Sequence, residues 1–186
     1  MRGIRMINPL GLIGGILAIS IFLSSTFYGE FWWEMRIGED IGHIKVSALN
    51  YEIELLGSFM EIKILWFIIL VFRMLLIESA IALIICSIAP GKNFSDKLLN
   101  FAYLKPLLIL LTFIVFLLIL LLLLPLIAFR VSLPILGSSI IPIRLDSARI
   151  DALITSRFTN SFWIMIATTL TYLSAHIYHN KIIRHK

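Results

Sequence analysis

Four stretches of this chain are apolar for longer than the roughly 20 residues an α-helix needs to cross a hydrocarbon core, and this limits its folds more than any other feature. The first is free of charge from Met6 to Gly29, and the second runs from Ile64 to Ile88. The third runs from Pro106 to Phe129 and includes the leucine block Leu120–Leu124, and the fourth runs from Phe158 to Asn180. At 60% hydrophobic residues and a mean hydropathy of +0.99, the chain exceeds the roughly half-apolar composition of soluble domains. The expectation is an all-α integral membrane protein built as a single four-transmembrane-helix bundle. Its helices are placed at about 8–27, 64–88, 106–128 and 160–179, with extracytoplasmic loops over about 28–63 and 130–157 and a cytoplasmic linker over about 90–105.

The first run also invites a second reading. Arg2 and Arg5 form a basic start, and Ser24, Ser25 and Thr26 are small, as in a cleaved signal peptide. A signal core spans about 7–15 residues. This run is longer, which favours a retained helix.

Orientation follows from where the bases lie. With the N-terminus inside, the cytoplasmic stretches carry eight bases (Arg2, Arg5, Lys92, Lys97, Lys105, Lys181, Arg184 and Lys186) against one acid, Asp96. The external loops carry seven bases and nine acids over a much greater length. The denser short segments set the orientation, so a multi-pass protein of the cell membrane with both termini cytoplasmic is expected. The net charge of +5 is read as topology, and no nucleic-acid partner is expected. The single cysteine, Cys86, lies inside an apolar run, so no intrachain disulfide can brace the loops. The absence of Gln and the abundance of Ile point to a thermophile or an AT-rich genome.

The first external loop has the period of half-buried strands. Trp33, Met35 and Ile37 alternate with Glu34 and Arg36; Ile44, Val46 and Ala48 with His43, Lys45 and Ser47; Tyr51, Ile53 and Leu55 with Asn50, Glu52 and Glu54. Turns are placed at Gly38-Glu39-Asp40-Ile41-Gly42 and near Leu49-Asn50. A small antiparallel sheet of about three strands follows, and such a sheet needs a second layer. The other external loop can supply it, with a strand at Ile140–Leu145 and a short helix capped by Asp146 over about Ser147–Ser156. The first loop is net −4 and the second net +2, and opposite signs favour packing between them. In the linker, Ser95 is placed as the N-cap of an amphipathic turn carrying Leu98, Leu99 and Ala102.

Two charges interrupt the second run, Arg73 and Glu78. Each costs roughly 2.5–3.5 kcal/mol at the centre of a bilayer on insertion scales, so each needs a compensating group. At about 100° per residue, Ser79, Ala82, Cys86 and Ala89 form a small-residue stripe with Glu78 at its edge, and Arg73 lies about 140° from Glu78. Small residues mark close helix packing, which directs Glu78 towards the bundle interior. There Thr168 and Thr171, on a fourth-run face with Ser161, Tyr172 and His179, lie at its depth. The expected contact is Glu78 with Thr168 or Thr171, either as simple packing or as part of a proton or ion path. Arg73 either snorkels outward to a lipid phosphate or meets an acid on a partner subunit.

Gly11 and Gly15, in G-x-x-x-G spacing, permit close approach of another helix, within the chain or in a dimer. His176 and His179 are three residues apart and Asp96 is the nearest carboxylate to join them, a weak metal candidate. No metal or other cofactor is expected. Signatures of phosphate-binding loops, hydrolase elbows, zincins and CxxC sites are missing.

The order of elements (helix, strand-rich loop, two helices, second loop, helix) is similar to that of claudin-like tetraspan proteins. The Trp…Gly-Leu-Trp…Cys…Cys pattern of that family is absent, and Phe31-Trp32-Trp33 does not replace it. The likeness is one of topology, and no function transfers with it. The function expected from the residues is a non-catalytic scaffold or accessory subunit, embedded in the lipid bilayer and bound to a protein partner or to further copies of itself. The alternative is a small transporter, channel or energy-coupling subunit in which Glu78 handles protons or ions.

Overall fold

The computed structural model describes residues 7–38, 41–89, 94–124, 133–145 and 148–183. The Glu39–Asp40 part of the first turn, Lys92, Arg130, the Asp146 cap with Ser147, the third apolar run beyond 124 and the terminal bases Arg2, Arg5, Arg184 and Lys186 lie outside them.

The chain begins with helix α1 (Pro9–Phe27), followed by strands β1 (Trp33–Ile37), β2 (Gly42–Val46), β3 (Tyr51–Leu55) and β4 (Ser58–Phe59). Helices α2 (Lys63–Ile88), α3 (Ser95–Ala102) and α4 (Lys105–Leu124) come next. Strands β5 (Gly137–Leu145) and β6 (Ala148–Phe158), helix α5 (Asn160–Tyr178) and a π-helical turn at His179–Ile183 complete the order.

The all-α class expected from the sequence is wrong. The fold is mixed, with helices joined to a six-stranded antiparallel sheet in the order β4-β3-β2-β1-β6-β5. The four-helix membrane bundle falls with it. Three helical runs among the described residues are long and apolar enough to cross a membrane: Pro9–Phe27, Lys63–Ile88 and Ser95–Leu122. α5 is as long as α1, but Ser161, Thr168, Thr169, Thr171, Ser174 and His176 interrupt its apolar run, and it is not among the three. The third run also starts earlier than expected. The segment read as a cytoplasmic linker is α3, which leads through Tyr103-Leu104 into α4, so that Ser95–Leu122 forms one apolar helical run. Pro106 fits because it falls at the second residue of α4, where its missing N–H breaks no helical bond. Ser95 is the first residue of α3 rather than its N-cap, and its hydroxyl donates to the Cys86 carbonyl (3.3 Å).

The second loop also differs. Residues 148–158 form β6, where a helix was expected. β6 pairs with β1, Trp33 opposite Phe158 and Ile37 opposite Ile154, and with β5 along its length. β1 therefore lies between strands from the two loops. Glu34 stands opposite both Lys45 and Arg157 and forms an ion pair with Arg157, so the opposite loop charges meet by register.

One face of the sheet is apolar. Trp33, Met35, Ile37, Ile44, Val46 and Ile154 are buried there in one hydrophobic core continuous with the helices, and Ala152 is buried as well. The Trp33 indole N–H donates to the Ile135 carbonyl (2.9 Å), and Ser156 donates to Pro134 (2.7 Å), which ties residues 134–135 to the sheet. Trp32 meets Phe113 of α4 edge-on at 5.0 Å. The opposite face carries Glu34, Arg36, His43, Lys45, Glu52, Glu54 and Arg157 in alternating charge.

At the far end of the helices, Asn8 is fully buried. Its side-chain oxygen caps α1 by accepting from the Gly11 N–H (3.1 Å), its amide donates to the Ala175 carbonyl (3.0 Å), and its backbone N–H donates to Ser87 (3.0 Å). One residue thus joins the start of α1 to the ends of α2 and α5.

Candidate functional site

α2 carries the two charges its apolar sequence has to accommodate, and the fold finds each a partner within the chain. Arg73 lies about 15 Å along the helix from Lys63 at roughly 1.5 Å per residue. Its side chain reaches towards the sheet, and Nε donates to the Leu49 carbonyl (2.7 Å) in the β2–β3 turn. Leu49 is itself fully buried. That turn is built by Ser47, whose hydroxyl accepts from the N–H groups of Leu49 and Asn50. The turn descends onto α2, and Arg73 satisfies a carbonyl that the sheet leaves open.

Glu78 is about 22 Å along α2 from Lys63. Its carboxylate meets Lys105 Nζ at 3.3 Å. Lys105 stands where α3 passes into α4, and its ammonium also sits over the Phe101 ring, 3.2 Å from the centroid. The Lys105 side chain is 14% exposed and that of Glu78 49% exposed. The pair therefore lies within two of the three apolar helical runs and opens to one side. Glu78 does not join Thr168 or Thr171, because each threonine returns its hydroxyl to its own helix: Thr168 donates to Ile164 (2.8 Å) and Thr171 to Ala167 (2.7 Å). In α5 the nearest polar link to the α2 stripe is instead Tyr172, whose hydroxyl is 3.5 Å from Ser79 Oγ.

Ser79 and Ala82 are buried. Gly11 and Gly15 press α1 onto α2: a β-carbon at Gly11 collides with the Ser87 hydroxyl, and one at Gly15 meets Ile84 and the Ala80 carbonyl (3.1 Å). The small-residue spacing thus serves packing inside the chain.

His179 is almost completely buried, with Nε2 2.9 Å from Asp96 Oδ1. His176 stacks on Tyr103 at 4.0 Å between centroids, and its Nε2 lies 3.0 Å from the Asn180 amide. Among the described residues, no three His, Cys, Asp or Glu side chains converge as metal ligands. The Asp96–His179 contact pins α3 to the end of α5.

On the charged face of the sheet, Glu52 accepts from Lys45 (2.8 Å) and lies 2.5 Å from His43 Nε2. Burial pushes its carboxyl up, and the hydrogen bonds and charges of Lys45 and His43 outweigh that and hold it below the ordinary glutamate value.

Sequence reasoning placed Lys105 in a cytoplasmic linker and Leu49 only in a turn, and gave no role to Asn8. Asn8 had a legible signal, Asn before Pro at the head of an apolar run, which is an N-cap signature. Neither a known family model nor a curated protein sequence matches the chain.

Proposed function

We propose that this chain is an integral membrane scaffold or accessory subunit, without catalysis of its own, that binds a protein partner through its sheet. The observation that carries this reading is the β5 edge. β6 pairs with β1 only over Ile154–Phe158, so the β5–β6 hairpin extends well past the rest of the sheet. β5 ends the strand order, and no other strand among the described residues pairs with its outer edge; Leu136, Ile140 and Leu153 are exposed beside it. The opposite edge is the two-residue β4, short as edges that avoid pairing are. A long open edge is a template for a partner's strand. Asn8, Ser87 and Ala175 meet at the far end of the helices, and the exposed Lys97 and Lys181 lie on the α3 and post-α5 segments beside it. We read that end as cytoplasmic, which puts the sheet outside the cell membrane.

The test is native mass spectrometry of a tagged chain extracted in mild detergent. A stoichiometric foreign subunit that is lost on Ile140→Lys supports the reading. A lone chain, or a partner indifferent to Ile140→Lys, overturns it.

The alternative, proton or ion handling by Glu78, is supported by the Glu78–Lys105 pair, whose carboxylate is half exposed within apolar helices. Proton flux into dye-loaded liposomes that disappears with Glu78→Gln favours it, and flux equal to empty liposomes rules it out.

A further inference from the structure

Just below the sheet, α2 and α4 stand apart. Leu65, Ile69 and Phe72 form a stripe on α2 at helical spacing. They face Phe113 and Phe116 of α4 across a cavity of about 120 Å³ roofed by Ala48. The lining is almost wholly apolar, and its α2 side lies about 3–14 Å along the helix from Lys63. Tyr51 lines this cavity and also a wider groove above it. The groove holds Asn50, Glu61, Lys63 and Trp66. Tyr51 is fixed there, because its hydroxyl accepts from the Ile62 N–H (2.9 Å).

The two spaces meet at Tyr51, with an apolar slot between two candidate spans on one side and, on the other, an aromatic at Trp66 beside two opposite charges. Trp66 is 62% exposed, as rings at the headgroup level are. Glu52 is engaged by Lys45 and His43, which leaves exposed Glu61 and Lys63 as the acid and base of the groove that pair with no other side chain among the described residues. Opposite charges two residues apart complement a headgroup that itself carries both signs.

We propose that this surface binds one zwitterionic aminophospholipid. A few methylenes of one acyl chain enter the slot between α2 and α4 while the rest of the chain lies in the bilayer, the phosphate meets the Lys63 ammonium, and the lipid ammonium meets the Glu61 carboxylate. The proposal rests on the membrane reading above.

The experiment is native mass spectrometry of the full chain in detergent, with phosphatidylethanolamine, phosphatidylcholine or phosphatidylglycerol added in turn. The expected result is a one-to-one phosphatidylethanolamine adduct at least fivefold more abundant than the phosphatidylglycerol adduct. Thr112→Trp, at an exposed α4 position lining the slot, is expected to cut the adduct about tenfold with an unchanged melting temperature. Lys63→Glu, on the surface, is expected to abolish the headgroup preference and covers the case in which Thr112→Trp does not fold. Equal adducts for all three lipids, or a preference untouched by Lys63→Glu, overturns the proposal and marks non-selective lipid only. Alkaline carbonate extraction is run beside it. Release of the chain from membranes overturns the membrane reading and the lipid site together, whereas retention without a selective adduct overturns the lipid site alone.

Discussion

The Glu78–Lys105 contact is open to a quantitative test. At 3.3 Å, two unit charges attract by on the order of 4–5 kcal/mol at an effective dielectric near 20, and desolvation offsets most of that. Removing one partner exposes the uncompensated cost of the other. Lys105→Met leaves a carboxylate without its donor between apolar helices and is expected to cost about 3 kcal/mol. Glu78→Leu leaves an ammonium that keeps its place over Phe101, so the loss is smaller, about 2 kcal/mol. The double variant replaces a neutral pair by apolar volume and is expected to cost no more than about 2 kcal/mol, a coupling of at least about 3 kcal/mol. Reversible unfolding in mixed micelles, titrated with a denaturing detergent, gives all four free energies. If the two single costs simply add, to within about 0.5 kcal/mol, the contact carries no energy and the account of how α2 holds Glu78 is wrong.

Three further outcomes follow from other contacts. Arg73→Met removes the donor to the buried Leu49 carbonyl and is expected to cost about 1–3 kcal/mol in the same titration; a change below about 0.5 kcal/mol refutes the link between the turn and α2. Gly15→Leu drives a side chain into Ile84 and the Ala80 carbonyl and is expected to cost about 1–3 kcal/mol or more, whereas Ile13→Leu, on the exposed side of α1, is expected to be near neutral. Glu52, held below its ordinary value by Lys45 and His43, stabilises the fold above about pH 4.3, and that contribution is lost as pH falls below it. Melting curves from pH 6 to pH 3 are therefore expected to fall more steeply for the wild type than for Glu52→Gln, and parallel curves would refute the assignment.

The strands of the first loop were legible because one face is buried. Trp33, Met35 and Ile37, then Ile44 and Val46, alternate with charges, and these side chains enter the core. A similar signal is present in β6, where Arg149, Asp151, Thr155 and Arg157 alternate with Ile150, Ala152, Ile154 and Ser156, broken by Leu153 on the polar side. Asp146, a helix-cap type of residue, drew the reading towards a helix, and the pairing with β1 that settles the matter is a long-range fact. Ser95, Asp96, Lys97 and Lys105 look solvated as a string of residues, but three of them have specific partners: Cys86 for Ser95, His179 for Asp96 and Glu78 for Lys105. Lys105 and Glu78 are 27 residues apart in sequence, and the helical-face argument, which directs Glu78 towards α5, carries no information about a partner in the linker. Threonine misled for a related reason, because its hydroxyl can be satisfied one turn back in its own helix.

The placement of β1 between β2 and β6 sets an order of assembly. Thr159 donates to the Phe31 carbonyl and Ser161 to Glu30 across separations of 128 and 131 residues. During synthesis, β1 to β4 and all three apolar runs leave the ribosome before β6 exists. Until β6 arrives, β1 has one unsatisfied edge, a hazard for pairing with any strand nearby. A chain that stops before residue 148 keeps that hazard permanently, so the last quarter of the sequence works as a seal on the first, and damage late in the gene is felt at the strand made earliest.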